Sequence, residues 1–88
     1  MYFPVAIEAG TETQAFGVVV PDLPGCFSAG DTLEEAITNA QEAIAAWIDA
    51  ELDAGRSIPV PSALSALQGK HMHKDWAWAV VQVDPAEA

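Results

Sequence analysis

Residues 21–35 read PDLPGCFSAGDTLEE, and the architecture of the chain turns on them. Proline fixes its own φ and has no N–H to give a ladder, so Pro21 and Pro24 close the strand before them. Gly25 supplies the conformational freedom of a turn. A short third strand over Cys26–Ala29 fits before Gly30. Gly30, Asp31 and Thr32 then launch a helix, with Thr32 and Glu35 in S/T-x-x-E capping-box spacing. Asp31 and Glu34 place negative charge at the positive end of the helix dipole.

Upstream, Tyr2–Ala9 alternates, with Phe3, Val5 and Ile7 on one face, the signature of a half-buried strand. Pro4 predicts that this strand lies at an edge or that Pro4 faces out of the pairing. The polar tip GTETQ leads into a second strand centred on Val18–Val20, which makes a hairpin. Downstream, Leu33, Ala36, Ile37, Ala40, Ile44, Trp47, Ile48 and Leu52 recur every three or four residues, an apolar helical stripe facing a sheet. Glu35, Glu42 and Asp49 lie opposite, and Gly55 suits the C-terminus. SIPVPS is extended, Ser62 is placed to cap a short helix closed by Gly69, and KHMHKD is a polar turn. WAWAVVQV, apolar at nearly every position, predicts a central strand. The order β-β-β-α-short α-β describes one α+β domain over residues 1–88: a small sheet with antiparallel pairs and one long helix packed on it.

The 88 residues carry 13 Asp and Glu against three Lys and Arg, a formal net charge of −10. Nucleic acids are held by neutralising phosphates, and Arg56, Lys70 and Lys74 are too few for that, so no direct nucleic-acid binding is expected. An acidic surface instead attracts cationic partners and speeds their encounter, although such charge also simply keeps a small domain in solution. The single cysteine, Cys26, permits no internal disulfide. Neither a signal peptide nor a run of about 20 apolar residues is present, and the expected location is the cytoplasm, with no membrane partner.

Catalytic chemistry finds little support. Asp22, Asp31 and Glu34 could converge as carboxylate ligands of a divalent ion, but turn geometry explains Asp22 and helix capping explains the other two. His71 and His73 form an H-x-H pair with no cysteine or obvious carboxylate to complete a metal site, and solvent-exposed turn histidines account for them. Negative neighbours raise the pKa of Cys26 and argue against a nucleophile. Phosphate-binding, dinucleotide and nucleophile-elbow motifs are absent. Trp47, Trp76 and Trp78 lack the surrounding cations of a base-stacking platform and read as core. No catalytic residue, metal or cofactor is expected, and the chain is not read as an enzyme.

The run VVVPDLPGCFSAGDTLEEAITNAQEAIAAWID followed by GRSIPVPS resembles the HicB antitoxin family. In that family a P-D-x-P-G turn leads to a G-D-T-x-E-E-A helix start, a long helix and an I-P-x-P-S segment. The resemblance implies a partial ribonuclease H-like fold without ribonuclease activity. It also implies an antitoxin that covers the active surface of a small basic HicA-type ribonuclease cutting mRNA, and a homo-oligomer, dimer or tetramer. Many family members carry a C-terminal DNA-binding segment, and this chain stops where one would begin. The alternative is therefore a dimerising or sensing domain of a transcriptional repressor. For contact with the toxin the expected groups are Glu8, Glu12, Asp22, Ser28 and Glu34, with edge pairing through the first strand as another route. Pro21, Pro24, Gly25, Gly30, Asp31, Thr32 and Glu35 are expected to be structural.

Overall fold

The computed structural model describes residues 1–68 and 76–83. Its elements are β1 (Tyr2–Glu8), β2 (Phe16–Val19), β3 (Phe27–Gly30), α1 (Leu33–Asp53), α2 (Leu64–Gln68) and β4 (Ala77–Gln82). The strands form one antiparallel sheet in the order β3-β2-β1-β4. The α+β reading holds, with the long helix on one face of the sheet.

Of the two alternatives that Pro4 left, the structure takes the second, a proline facing out of the pairing, while the expectation of a central last strand is corrected. β1 is an interior strand, with Ala6 opposite Val19 in β2 and opposite Trp78 in β4. β4 is the outer strand rather than a central one. Hydrogen-bond direction explains how an interior strand accommodates Pro4. Met1 and Val83 exchange both main-chain bonds, at 2.9 and 2.8 Å. Antiparallel residues alternate in the side they bond, so Phe3, Val5 and Ile7 bond to β4, while Tyr2, Pro4 and Ala6 turn toward β2. The β1–β2 pairing runs only over Ala6–Glu8. The nitrogen of Pro4 therefore faces β2's side beyond the end of that pairing, where no ladder donor is needed.

β4 misleads because both of its faces are apolar. Val81 and, in part, Ala79 join the core beneath the helix, whereas Trp78 and Val80 stand on the opposite, outer face. Val80 is 47% exposed there. A hydrophobic run signals burial on both faces only when something covers both.

α1 begins at the predicted cap. The Glu35 N–H donates to Thr32 Oγ1 at 3.1 Å, and the reciprocal arm lands one residue early, with the Asp31 N–H donating to Glu35 Oε1 at 2.9 Å. Ala36, Ala40, Ile44 and Ile48 form the buried stripe, strictly four apart. Leu33 and Leu52, expected on that stripe, are exposed because each lies near a helix end. The stripe packs on Phe3, Val5 and Ile7 of β1, Val18 of β2 and Val81 of β4, together with Val20, Leu23 and Cys26. Gly55, at φ 76°, takes the left-handed conformation that ends the helix.

α2 is preceded by Ala63 rather than capped by Ser62, because both the Ser62 N–H and its hydroxyl are committed elsewhere. Gly69 and the KHMHKD turn, with His71 and His73, lie outside the described residues.

Candidate functional site

The 20–26 loop is a pair of consecutive turns. The Leu23 N–H donates to Val20 O at 3.1 Å, the Cys26 N–H to Leu23 O at 3.0 Å, and the Val20 N–H to Cys26 O at 3.1 Å closes the neck. In the second turn Pro24 holds the first central position and Gly25, at φ 79°, the second, the signature of a type II turn. Side chains then fasten the loop to the rest of the domain. The Trp47 indole N–H donates to Pro24 O at 3.0 Å. The Asp22 carboxylate accepts the Ser62 N–H on Oδ2 and the Ser62 hydroxyl on Oδ1, both at 2.7 Å. Leu23 points inward and is fully buried. The PDLPG stretch is thus a joint gripped from three sides.

Both oxygens of Asp22 are occupied in tying the loop to the IPVPS segment, which sequence reasoning attributed to turn geometry alone. Its partner lies 40 residues away, and no local pattern announces it. Replacing Asp22 with Ala is expected to cost about 1–2 kcal/mol, the range for losing bonds to a half-exposed carboxylate. Asp22→Asn, which can still accept the Ser62 N–H, is expected to cost less than half as much. Urea denaturation of the two variants measures the difference; an Asp22→Ala variant as stable as the parent would mean that the clasp contributes nothing.

Ser28 is likewise engaged internally: its hydroxyl donates to Ala36 O at 3.0 Å and fixes β3 to the first turns of α1. The other three expected contact residues sit toward one end of the domain. Glu8 closes β1 and faces Gly17 on the outer side of the sheet. Glu12 lies in the β1–β2 tip, where Thr11 and Gln14 bond to each other through their main chains. The pairing of Phe16 with Gly30 brings Asp31 beside that tip, and Glu12 and Asp31 border a shallow open groove with Thr11, Thr13, Gln14 and Ala15. Glu34 and Glu35 project from the adjoining helix start. Topology therefore gathers carboxylates from three separate segments at one end, with no cation among the described residues there.

Arg56, the one basic residue among the described residues, is spent on Glu51 through contacts of 2.6 and 3.1 Å. That guanidinium holds the Glu51 carboxyl below the usual range. Burial pushes the Cys26 thiol up, which removes nucleophilic character at neutral pH. Among the described residues no three His, Cys, Asp or Glu side chains are placed to hold a metal, and no helix is long and apolar enough to cross a membrane.

This fold is a four-stranded antiparallel sheet carrying one long helix, with carboxylates gathered at one end, and comparison with known proteins places it. The profile described as the HicB-like antitoxin of bacterial toxin–antitoxin systems matches residues 3–88. The chain belongs to that family. It is 40% identical over 84 residues to an uncharacterized 14.9 kDa protein from the rep-hol intergenic region of Haemophilus phage HP1, an alignment covering 96% of this chain and 62% of the phage protein. The chain thus spans about three fifths of that relative's length. Among solved structures, it resembles the N-terminal domain of Burkholderia pseudomallei antitoxin HicB at 34% identity and TM-score 0.80, covering 96% of this chain and 99% of that one. A chain of the HicA3 and HicB3 toxin–antitoxin complex matches at 28% identity and TM-score 0.76, covering 97% of this chain and all of that one.

Proposed function

We propose that this chain is an antitoxin that neutralises a HicA-type ribonuclease in the cytoplasm by covering its active surface, acting by contact rather than by catalysis. The observation that carries the reading is the match, over nearly the full length of both chains, to a chain taken from a toxin–antitoxin complex. The charge supports it. A ribonuclease must present cations to its RNA, and a chain of net charge −10, with Glu12, Asp31, Glu34 and Glu35 gathered at one end, is the electrostatic complement of such a surface. Residues 1–88 act here as one docking unit. Glu8, Glu12 and Glu34 keep their carboxylates available to the toxin, whereas Asp22 and Ser28 hold the surface in shape from within.

Mixing the purified chain with its HicA-type toxin is expected to stop RNA cleavage at stoichiometric ratio. Reversing both Glu12 and Glu34 to Lys is expected to weaken the complex at least about tenfold at low salt, mainly by slowing association. Unchanged cleavage in the presence of excess chain would refute the antitoxin reading. Full binding by the double reversal would move the contact away from the acidic end.

A further inference from the structure

The outer face of the sheet, the side away from α1, is divided. The Ser28 hydroxyl reaches α1, and neighbours on a strand point to opposite faces, so Phe27 and Ala29 stand outside. Directly opposed residues share a face, which adds Val19 and Gly17 of β2, then Ala6 and Glu8 of β1. Over the middle of β1 this face is closed. Pro4 and Ala6 have almost no exposed surface, and α2, with Leu67 buried outside the core beneath α1, packs against β4. Over β2 and β3 it is open. Phe27 stands there 70% exposed, the most exposed aromatic side chain among the described residues.

The main chain is open at the same residue. Alternation along β3 turns the groups of Phe27 and Ala29 away from β2. The Asn39 amide covers Ala29 O at 2.8 Å, and Glu35 Oε1 takes the Asp31 N–H. Among the described residues nothing bonds the N–H or C=O of Phe27. Beside it lies a shelf, because Gly17 has no side chain and Ala29 only a methyl group. The Glu8 carboxylate leans over that floor, with Oε1 3.7 Å from where a Gly17 Cβ would stand. Gly17 and Phe27 are diagonal neighbours, about 7–8 Å apart, so the carboxylate and the ring flank a gap the width of a side chain. Asp31 and Glu12 continue the negative charge toward the tip.

Aromatic rings are enriched at protein interfaces, and a ring beside a carboxylate suits a cation. The π face attracts a guanidinium or ammonium, and the carboxylate pairs with it. Charge decides the occupant. A second copy would set Glu8, Glu12 and Asp31 against further carboxylates, whereas a ribonuclease offers the cations with which it holds RNA. We propose that the toxin docks on this open half of the outer face, with Phe27 as the apolar anchor and an arginine or lysine of the toxin held between the Phe27 ring and the Glu8 carboxylate. This contact presupposes the antitoxin reading and assigns it a face: the sheet beside the acidic end, not the solvent side of α1.

Isothermal titration of the purified HicA-type toxin at low and high salt, with RNA cleavage and sedimentation of each variant alone, tests it. Phe27→Ala is expected to weaken binding at least about tenfold at both salts, as loss of an interface anchor does. Glu8→Gln is expected to weaken it about three- to tenfold at low salt and little at high salt, as a screened charge does. Tyr2→Ala, on the same face but beside its closed part and 60% exposed, is expected to bind within about twofold of wild type. Should Phe27→Ala fail to fold, Ala29→Arg keeps the ring, sets a cation on the shelf and is expected to show the same loss. A wild-type chain that leaves RNA cleavage untouched overturns the antitoxin reading and the docking face with it. A wild-type chain that stops cleavage, while the folded Phe27 or Ala29 variant binds as tightly, overturns the face alone. Loss of self-association in place of toxin binding would assign Phe27 to a second copy and overturn it likewise.

Discussion

A Gly30→Ala chain is expected to lose about 3 kcal/mol of stability, the upper end of what overpacking costs a core. At about 4–8 °C per kcal/mol for a domain of this size, that is a fall of about 12–24 °C in Tm. The cause is steric and lies in the main chain of α1. A methyl group on Gly30 would press on Ala36 N and come within 2.8 Å of Glu35 C and 2.9 Å of Ala36 Cα. None of these atoms can rotate away, so the helix must lift from β3 or β3 must leave its pairing with Phe16. Lifting the helix would also strain the bonds from Ser28 to Ala36 O and from Asn39 to Ala29 O. Gly17→Ala is the control. A methyl there meets only the Glu8 side chain, at 3.7 Å and beyond, and its effect is expected within about 0.5 kcal/mol. Thermal melts that put the two variants within a degree of each other would refute the account.

Leu23→Ala is expected to cost about 2–4 kcal/mol, the loss of a fully buried leucine rather than of a loop residue. Leu23 has no exposed surface and plugs the core between Val20 and Cys26 from a loop whose main chain is already fixed. Its own N–H and C=O are both bonded within the turns, and the flanking residues are held by Ser62 and Trp47. The loop therefore cannot sink to fill the cavity, and the cavity term adds to the lost burial. Leu23→Met, which nearly conserves volume, is expected to cost under about 1.5 kcal/mol. Denaturant midpoints at unchanged m separate the variants. An alanine cost of a few tenths of a kcal/mol would mean that the loop is not part of the core.

These two positions show how much of the molecule could be read locally. The helix start was legible because Thr32 and Glu35 are three residues apart and their bonds close within one turn. The hairpin and the PDLPG turn were legible for the same reason. Gly30 was assigned to the joint, but its need to be glycine depends on how closely Ala36 docks, which the turn itself does not set. Leu23 was given no role of its own, since apolar side chains in loops follow no period. The set expected to face the toxin mixed two kinds of residue. Glu12 and Glu34 stay exposed, whereas Asp22 and Ser28 look like surface polar groups until their partners come round from other segments.

Strand order lay beyond sequence reading for a related reason. Pro4 left either an edge strand or a proline facing out of the pairing, and the continuous apolar run of β4 argued for the centre; an edge from one proline and a centre from one apolar run both assume that composition reports the number of neighbours. Composition reports burial of side chains, while edge or interior is a matter of which way main-chain groups point and whether a strand arrives to meet them. The sequence by itself determined the α+β class, the capped helix, the turn between sheet and helix, and the acidic character of the surface. Each of these follows from spacing of a few residues or from a simple count of charges. Only the tertiary structure decided that β1 is interior, that β4 is an outer strand, that Asp22 clasps Ser62, and that the carboxylates collect at one end. These depend on contacts between residues tens of positions apart, whose cost in chain entropy is met by the whole core at once and by no local signal.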